Sequence, residues 1–119
     1  MREADLVIIP SRHEYPEGLP LTIYEALCSR NPIIASDHPM FKNQLKDSIS
    51  AMVFPAKNSS ALAAKIEQIM TDLQLYNQIS LASAETWQKL QIPVKRWNLI
   101  ERWLDDSPES QQWFLEGRR

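Results

Sequence analysis

The sequence predicts an α/β fold, a partial Rossmann-like parallel sheet followed by C-terminal helices. Three observations predict it. Short, continuous apolar runs bounded by proline and serine suit strands buried on both faces, as in parallel sheets. Helical segments separate these runs, the alternation of a layered α/β domain. Past residue 58, apolar residues recur at helical spacing.

The first run, Leu6-Val7-Ile8-Ile9, stops at Pro10-Ser11 and reads as a strand buried on both faces. A polar loop covers residues 12–18. Pro20 follows where a first helical residue would stand, its φ already suited to a helix, and residues 21–28 form that helix. Residues 32–36 and 51–55 are the second and third strands, with a short helix over 41–47 between them. Asn58-Ser59 supplies an N-cap. Leu62, Ile66, Ile69 and Leu73 then make one stripe, and helix continues to about residue 90 with a break near Asp72. Pro93 opens a last helix with Trp97, Ile100 and Leu104 on one face. Three strands are few for a doubly wound sheet, which carries about six, and they leave an edge open. The expectation is a partial Rossmann-like domain over residues 1–90, a helical extension of the same domain over 91–119, and a further portion upstream.

The chain has 119 residues, a net charge of -2, 24% charged and 44% hydrophobic residues, enough for one domain with its own core. Basic residues concentrate only at Lys95-Arg96 and Arg118-Arg119, which argues against nucleic acid as a partner. Cys28 is the only cysteine, so no intrachain disulfide forms and a reducing compartment fits; its apolar neighbours predict a small buried hydrophobe. No apolar stretch approaches the roughly 20 residues of a membrane span, and Met1-Arg2-Glu3-Ala4-Asp5 lacks the basic start of a signal peptide. A cytoplasmic protein, at most peripheral to a membrane, is expected.

Ligands of open α/β sheets bind at the carboxyl ends of the strands, which places residues 11–19 and the following helix start at the rim. There the chain reads Glu17-Gly18-Leu19-Pro20-Leu21-Thr22-Ile23-Tyr24-Glu25. Gly18 lets a ligand approach the backbone. The free N–H groups of Gly18, Leu19, Leu21 and Thr22, with the positive end of the helix dipole, suit a phosphate. Glu17 stands just outside the helix, and Glu25, more than a turn inside it, suits a pair of sugar hydroxyls.

This stretch resembles the Glu-x7-Glu signature of retaining glycosyltransferases of the GT-B fold, family four. Pro10-Ser11, Glu17-Gly18-Leu19-Pro20, Glu25-Ala26-Leu27, Pro32-Ile33-Ile34-Ala35-Ser36-Asp37 and Met52-Val53-Phe54-Pro55 occupy the family's places. The resemblance covers roughly residues 4–73 and fades in the last third. It implies that Glu17 contacts hydroxyls of the donor sugar near the reacting carbon. By the same analogy, Gly18, Leu19, Leu21 and Thr22 hold the diphosphate, and Glu25 bonds the ribose. A sugar would pass from a UDP- or GDP-sugar to an acceptor hydroxyl of a glycan or lipid, with retention and with no metal or other cofactor. The family's basic groups for the leaving diphosphate, its Gly-rich acceptor-side loop and its acceptor domain belong to segments upstream of this one. The chain alone is therefore expected to be a weak or inactive catalyst. Arg30 stands where relatives carry a helix-closing glycine, so the helix is expected to close differently.

Other residues carry competing interpretations. His13 and Glu14 could form an acid–base pair in the loop; contact of His13 with sugar or acceptor is the stronger of the two. Asp37-His38-Pro39 mainly turns the chain after the second strand. His13, His38, Asp37 and Cys28 lack metal-ligand spacing. Trp87, Trp97, Trp103 and Trp113 read as packing residues rather than a sugar platform, and without an upstream domain Trp103, Trp113 and Phe114 would be exposed and favour homo-oligomers. Two rival functions stand beside the transferase. One is a non-catalytic remnant or binding module that works through a partner chain. The other is a GT-B-type epimerase or phosphorylase using the same phosphate cradle.

Overall fold

A computed structural model describes residues 3–92 and 94–116. Its elements are β1 (Val7–Ile9), α1 (Leu21–Ser29), β2 (Ile33–Ser36), α2 (Pro39–Lys42), β3 (Met52–Phe54), α3 (Ser59–Thr71), α4 (Leu73–Lys89), α5 (Arg96–Asp105) and α6 (Pro108–Glu116). The three strands are parallel in the order β1-β2-β3. Val7 pairs with Ile33, and Ile34 with Met52. The predicted three-stranded parallel sheet stands, as does the order of elements through α5.

Alternation along the strands splits the core in two. Val7, Ile9, Ile33 and Ala35 join Ile23, Ala26 and Leu27 of α1 and Phe41 on one face, with Trp87 of α4 against them. Ile34, Met52 and Phe54 face Ile69 of α3 and Ile79 of α4 on the other. β2 is buried along its whole length. β1 is not: Ile8 is 42% exposed. The expectation of a strand covered on both faces is corrected here, because α3 lies over β2 and β3.

The helix ends follow local chemistry. Asn58 caps α3 by accepting from Ala61 N–H at 2.9 Å, and Asp72 caps α4 through Leu75 N–H at 2.9 Å. The break at Asp72 takes Leu73 off the α3 stripe and leaves it exposed. The short helix starts earlier than expected, at Pro39, because His38 caps it, and it ends at Lys42. Asp47 instead bridges to Ala51 and accepts from Val53 N–H at 2.7 Å.

Arg30 overturns an expectation. It adopts the left-handed conformation itself, φ 59°, and its N–H reaches Leu27 O at 3.2 Å while Asn31 N–H reaches Ala26 O at 3.0 Å. The helix thus closes as a glycine-ended one does, with the strain placed on an arginine.

Cys28 is exposed rather than buried. The face of α1 turned to the sheet is Ile23, Ala26 and Leu27, and Cys28 falls outside it.

Of the last segment, Pro93 lies outside the described residues. α5 carries Trp97, Ile100 and Leu104 on one side as expected, yet none of its residues is buried. Trp97 is exposed, against the packing role expected for it, whereas Trp103 is exposed as expected for a chain without the upstream domain. α6 was not anticipated; it folds back on α5, so that Trp113 lies under Arg102 at 5.0 Å and against Phe114 at 5.2 Å. Those two aromatics are therefore half-buried, not exposed. No helix among the described residues is long and apolar enough to cross a membrane.

Candidate functional site

The carboxyl ends of β1, β2 and β3 bring together residues 11–19, Asp37-His38 and Ala56-Lys57. Leu19 packs its side chain against the first core cluster, which pins the end of the loop and leaves only its main chain for a ligand. Gly18 is exposed, with nothing within 4 Å of where a Cβ would stand. Its φ is not left-handed, so the turn does not require glycine, and open space remains in front of the backbone.

Pro20 offers no side-chain cap to α1. The first amides of the helix, at Leu21 and Thr22, therefore have no side-chain acceptor, and both residues are exposed, Leu21 to 77%. Because Ile23, Ala26 and Leu27 turn inward, Leu21, Thr22 and Glu25 share the opposite, solvent-facing side. Glu25 sits on that side one turn below the open tip. Glu17, just before the helix, is half-buried, and its Oε2 is enclosed with no hydrogen-bond partner. A carboxylate oxygen in that position costs about 1–3 kcal/mol until something donates to it.

Asp37 links the three loops. Its Oδ1 accepts from His13 Nε2–H at 2.7 Å and from Ala56 N–H at 2.8 Å, while its own N–H donates to Phe54 O at 2.9 Å. The Ala56 N–H, and then the His13 imidazole, hold the Asp37 carboxyl below the usual aspartate range. Lys57, left-handed at φ 65°, bonds Glu14 across the rim and lowers that carboxyl in the same way.

His13 and Glu14, neighbours in sequence, thus turn to different partners and form no acid–base pair. His38 is buried and fully committed: Nδ1 accepts from Met40 N–H at 3.3 Å, so Nε2 carries the proton and donates to Tyr15 O at 3.1 Å. Among the described residues no three His, Cys, Asp or Glu side chains gather as a metal site. Lys57 and the bracing role of Asp37 were missed by the sequence. The rule that ligands meet strand ends would have pointed to residues 55–57 as it did to 11–19.

The family model described as "Glycosyl transferases group 1" matches residues 1–86. The fold matches the C-terminal domain of a glycosyl transferase group 1 family protein from Francisella tularensis, with a TM-score of 0.62 and 23% identity, over 72% of this chain and 43% of that one. It also matches sucrose-phosphate synthase from Thermosynechococcus elongatus, with a TM-score of 0.63 and 26% identity, over 73% of this chain and 21% of that one. The chain spans less than half the length of either. No curated protein matches the sequence. The parallel sheet with C-terminal helices is the architecture of GT-B C-terminal domains.

Proposed function

The chain belongs to the glycosyl transferases group 1 family, and from that premise we propose that it forms the donor-binding part of a retaining, nucleotide-sugar-dependent transferase. Residues 1–90 carry the UDP- or GDP-sugar, and residues 91–119 extend the same domain. The observation that carries this reading is the uncapped, exposed start of α1, set between the enclosed, unpartnered Glu17 oxygen and the outward Glu25.

Each part has a physical task. The diphosphate rests on the main chain of Gly18 and Leu19 and the N–H groups of Leu21 and Thr22, where the helix dipole favours an anion. Glu17 accepts from donor-sugar hydroxyls, which supplies the partner its Oε2 lacks. Glu25 accepts from the ribose hydroxyls, and His13 contacts sugar or acceptor from the adjoining loop. In the transfer the bond from the anomeric carbon to the diphosphate breaks, the bond to the acceptor oxygen forms, and the acceptor proton leaves with the diphosphate. Negative charge grows on that leaving group, and fixed donors aimed at it lower the barrier most. One helix end supplies part of this; the remaining cations and the acceptor wall belong to an upstream lobe or a partner chain. No metal or cofactor takes part. The acceptor is a glycan or lipid hydroxyl, met in the cytoplasm or at a membrane surface.

Thermal unfolding with UDP, GDP and their sugars tests the reading. A nucleotide at 100 times its dissociation constant adds about 2.7 kcal/mol of stability. A chain whose melting temperature ignores every nucleotide is not a donor-binding domain.

A further inference from the structure

The loop that ends in Glu17-Gly18 has almost no main-chain hydrogen bonds of its own, Tyr15 N–H to Arg12 O being the one turn bond recorded within it. Ordering a free loop costs about 1–2 kcal/mol per residue, so something else must hold it. Three consecutive residues at the end of β2 and just past it do so, together gripping every second residue after β1. Ser36 Oγ–H donates to Ser11 O at 2.7 Å, Asp37 accepts from His13 at 2.7 Å, and His38 donates to Tyr15 O at 3.1 Å. The sequence separations fall from 25 to 24 to 23. The first strand's continuation therefore uses two residues for each one of the second, and the surplus arches outward into the loop that delivers Glu17.

The gripping side is the rigid one. Ser36 and His38 are 0% and 4% exposed, at the end of the one strand buried throughout, and Asp37 is braced from β3 by Ala56 N–H. From this we infer that Ser36, Asp37 and His38 are positioning residues, which act through Ser11, His13 and Tyr15 to hold the Glu17–Gly18 loop ready for its ligand. The inference rests on the donor-binding reading for its functional half. A loop fixed in advance does not lose its freedom when the ligand arrives, so the affinity is correspondingly higher.

Limited trypsin digestion reads loop order directly, because Arg12 lies exposed in the loop and Lys65 lies in α3. In Asp37→Ala, cleavage after Arg12 quickens about ten-fold, the weight of one such hydrogen bond, while cleavage after Lys65 keeps its wild-type rate. Asp37→Asn, whose amide oxygen still accepts from His13 and Ala56, stays near wild type. UDP or GDP affinity falls with the alanine and recovers with the asparagine. Unchanged cleavage after Arg12 in Asp37→Ala overturns the inference. If that variant loosens the whole domain, reported by Lys65, then Ser36→Ala decides on the same scale, since it removes only the hydroxyl held to Ser11. A wild-type chain that binds no nucleotide removes the donor reading, and the digestion still decides whether these residues hold the loop.

Discussion

The hydroxyl of Ser80 in α4 donates to the main-chain carbonyl of Arg30 at 2.8 Å, clasping the end of α1 at the residue whose backbone is left-handed. The bond stabilises a conformation that an arginine adopts at a cost of roughly 1–2 kcal/mol.

Arg30→Gly keeps that clasp and relieves the strain, against the greater freedom glycine regains on unfolding. The expected net gain is about 0.5–1 kcal/mol. It would be read as a higher urea midpoint at unchanged slope. A lower midpoint would mean that the Arg30 side chain contributes more than the strain removes.

Acid should loosen the rim. The Asp37 carboxyl is held low first by Ala56 N–H and then by His13, and Glu14 is held low by Lys57. Groups depressed in the folded state contribute stability above their unfolded values, and that contribution is lost as pH falls through the folded ones. The window opens near pH 4, the ordinary carboxylate value, and extends below it. Urea unfolding of wild type and Asp37→Asn across that window should show wild type losing stability faster. Parallel curves would mean that the Asp37 charge adds nothing.

Much of this could be seen in the sequence where the signal is local. Pro20 before an apolar helix, Asn58 as a cap and Asp72 as a break each act through neighbours within one turn, and Glu-x7-Glu lies within nine consecutive residues. What stayed hidden depends on distant partners. Ile8 is exposed because of where α3 comes to rest, and Cys28 because the adjacent apolar residues Ala26, Leu27 and Cys28 do not reveal which of them meet the sheet. The grip of Ser36, Asp37 and His38 spans more than twenty residues and has no periodicity. α6 had a local signal that was overlooked: Ser107 Oγ accepts from Ser110 N–H at 3.2 Å, with Pro108 and Glu109 in the first turn.

Glu17 and Glu25 should separate in their effects. Glu17→Ala removes an enclosed, unpartnered oxygen, so the unliganded chain is expected to hold its stability or gain about 1 kcal/mol. The extra melting shift that a nucleotide sugar gives over the bare nucleotide disappears. Glu25→Ala changes an exposed helix residue and moves stability by less than about 0.5 kcal/mol. It weakens nucleotide binding about ten-fold or more, because hydrogen bonds to a carboxylate are strong. Calorimetric titration with UDP and UDP-sugar, repeated with the guanine pair, distinguishes the two. Equal losses for sugar and nucleotide in both variants would contradict the division of roles.

The apolar side of α5 is expected to drive self-association of this chain. Trp97, Trp103 and Leu104 are exposed to 57%, 70% and 70%, and a cluster of this kind seeks cover. Charge runs along the helix from Lys95 and Arg96 at its start to Glu101, Asp105 and Asp106 at its end, where Arg102, turned over Trp113, offsets one of the acids. Two copies laid antiparallel would therefore set opposite charges and opposed dipoles beside each other. Sedimentation velocity should show a species that grows with concentration in wild type and stays monomeric in Trp97→Glu/Trp103→Glu. Neither tryptophan belongs to the core clusters, so the double variant keeps its melting temperature at low concentration. A wild-type chain that remains monomeric at the highest attainable concentration would show that this face needs no second copy.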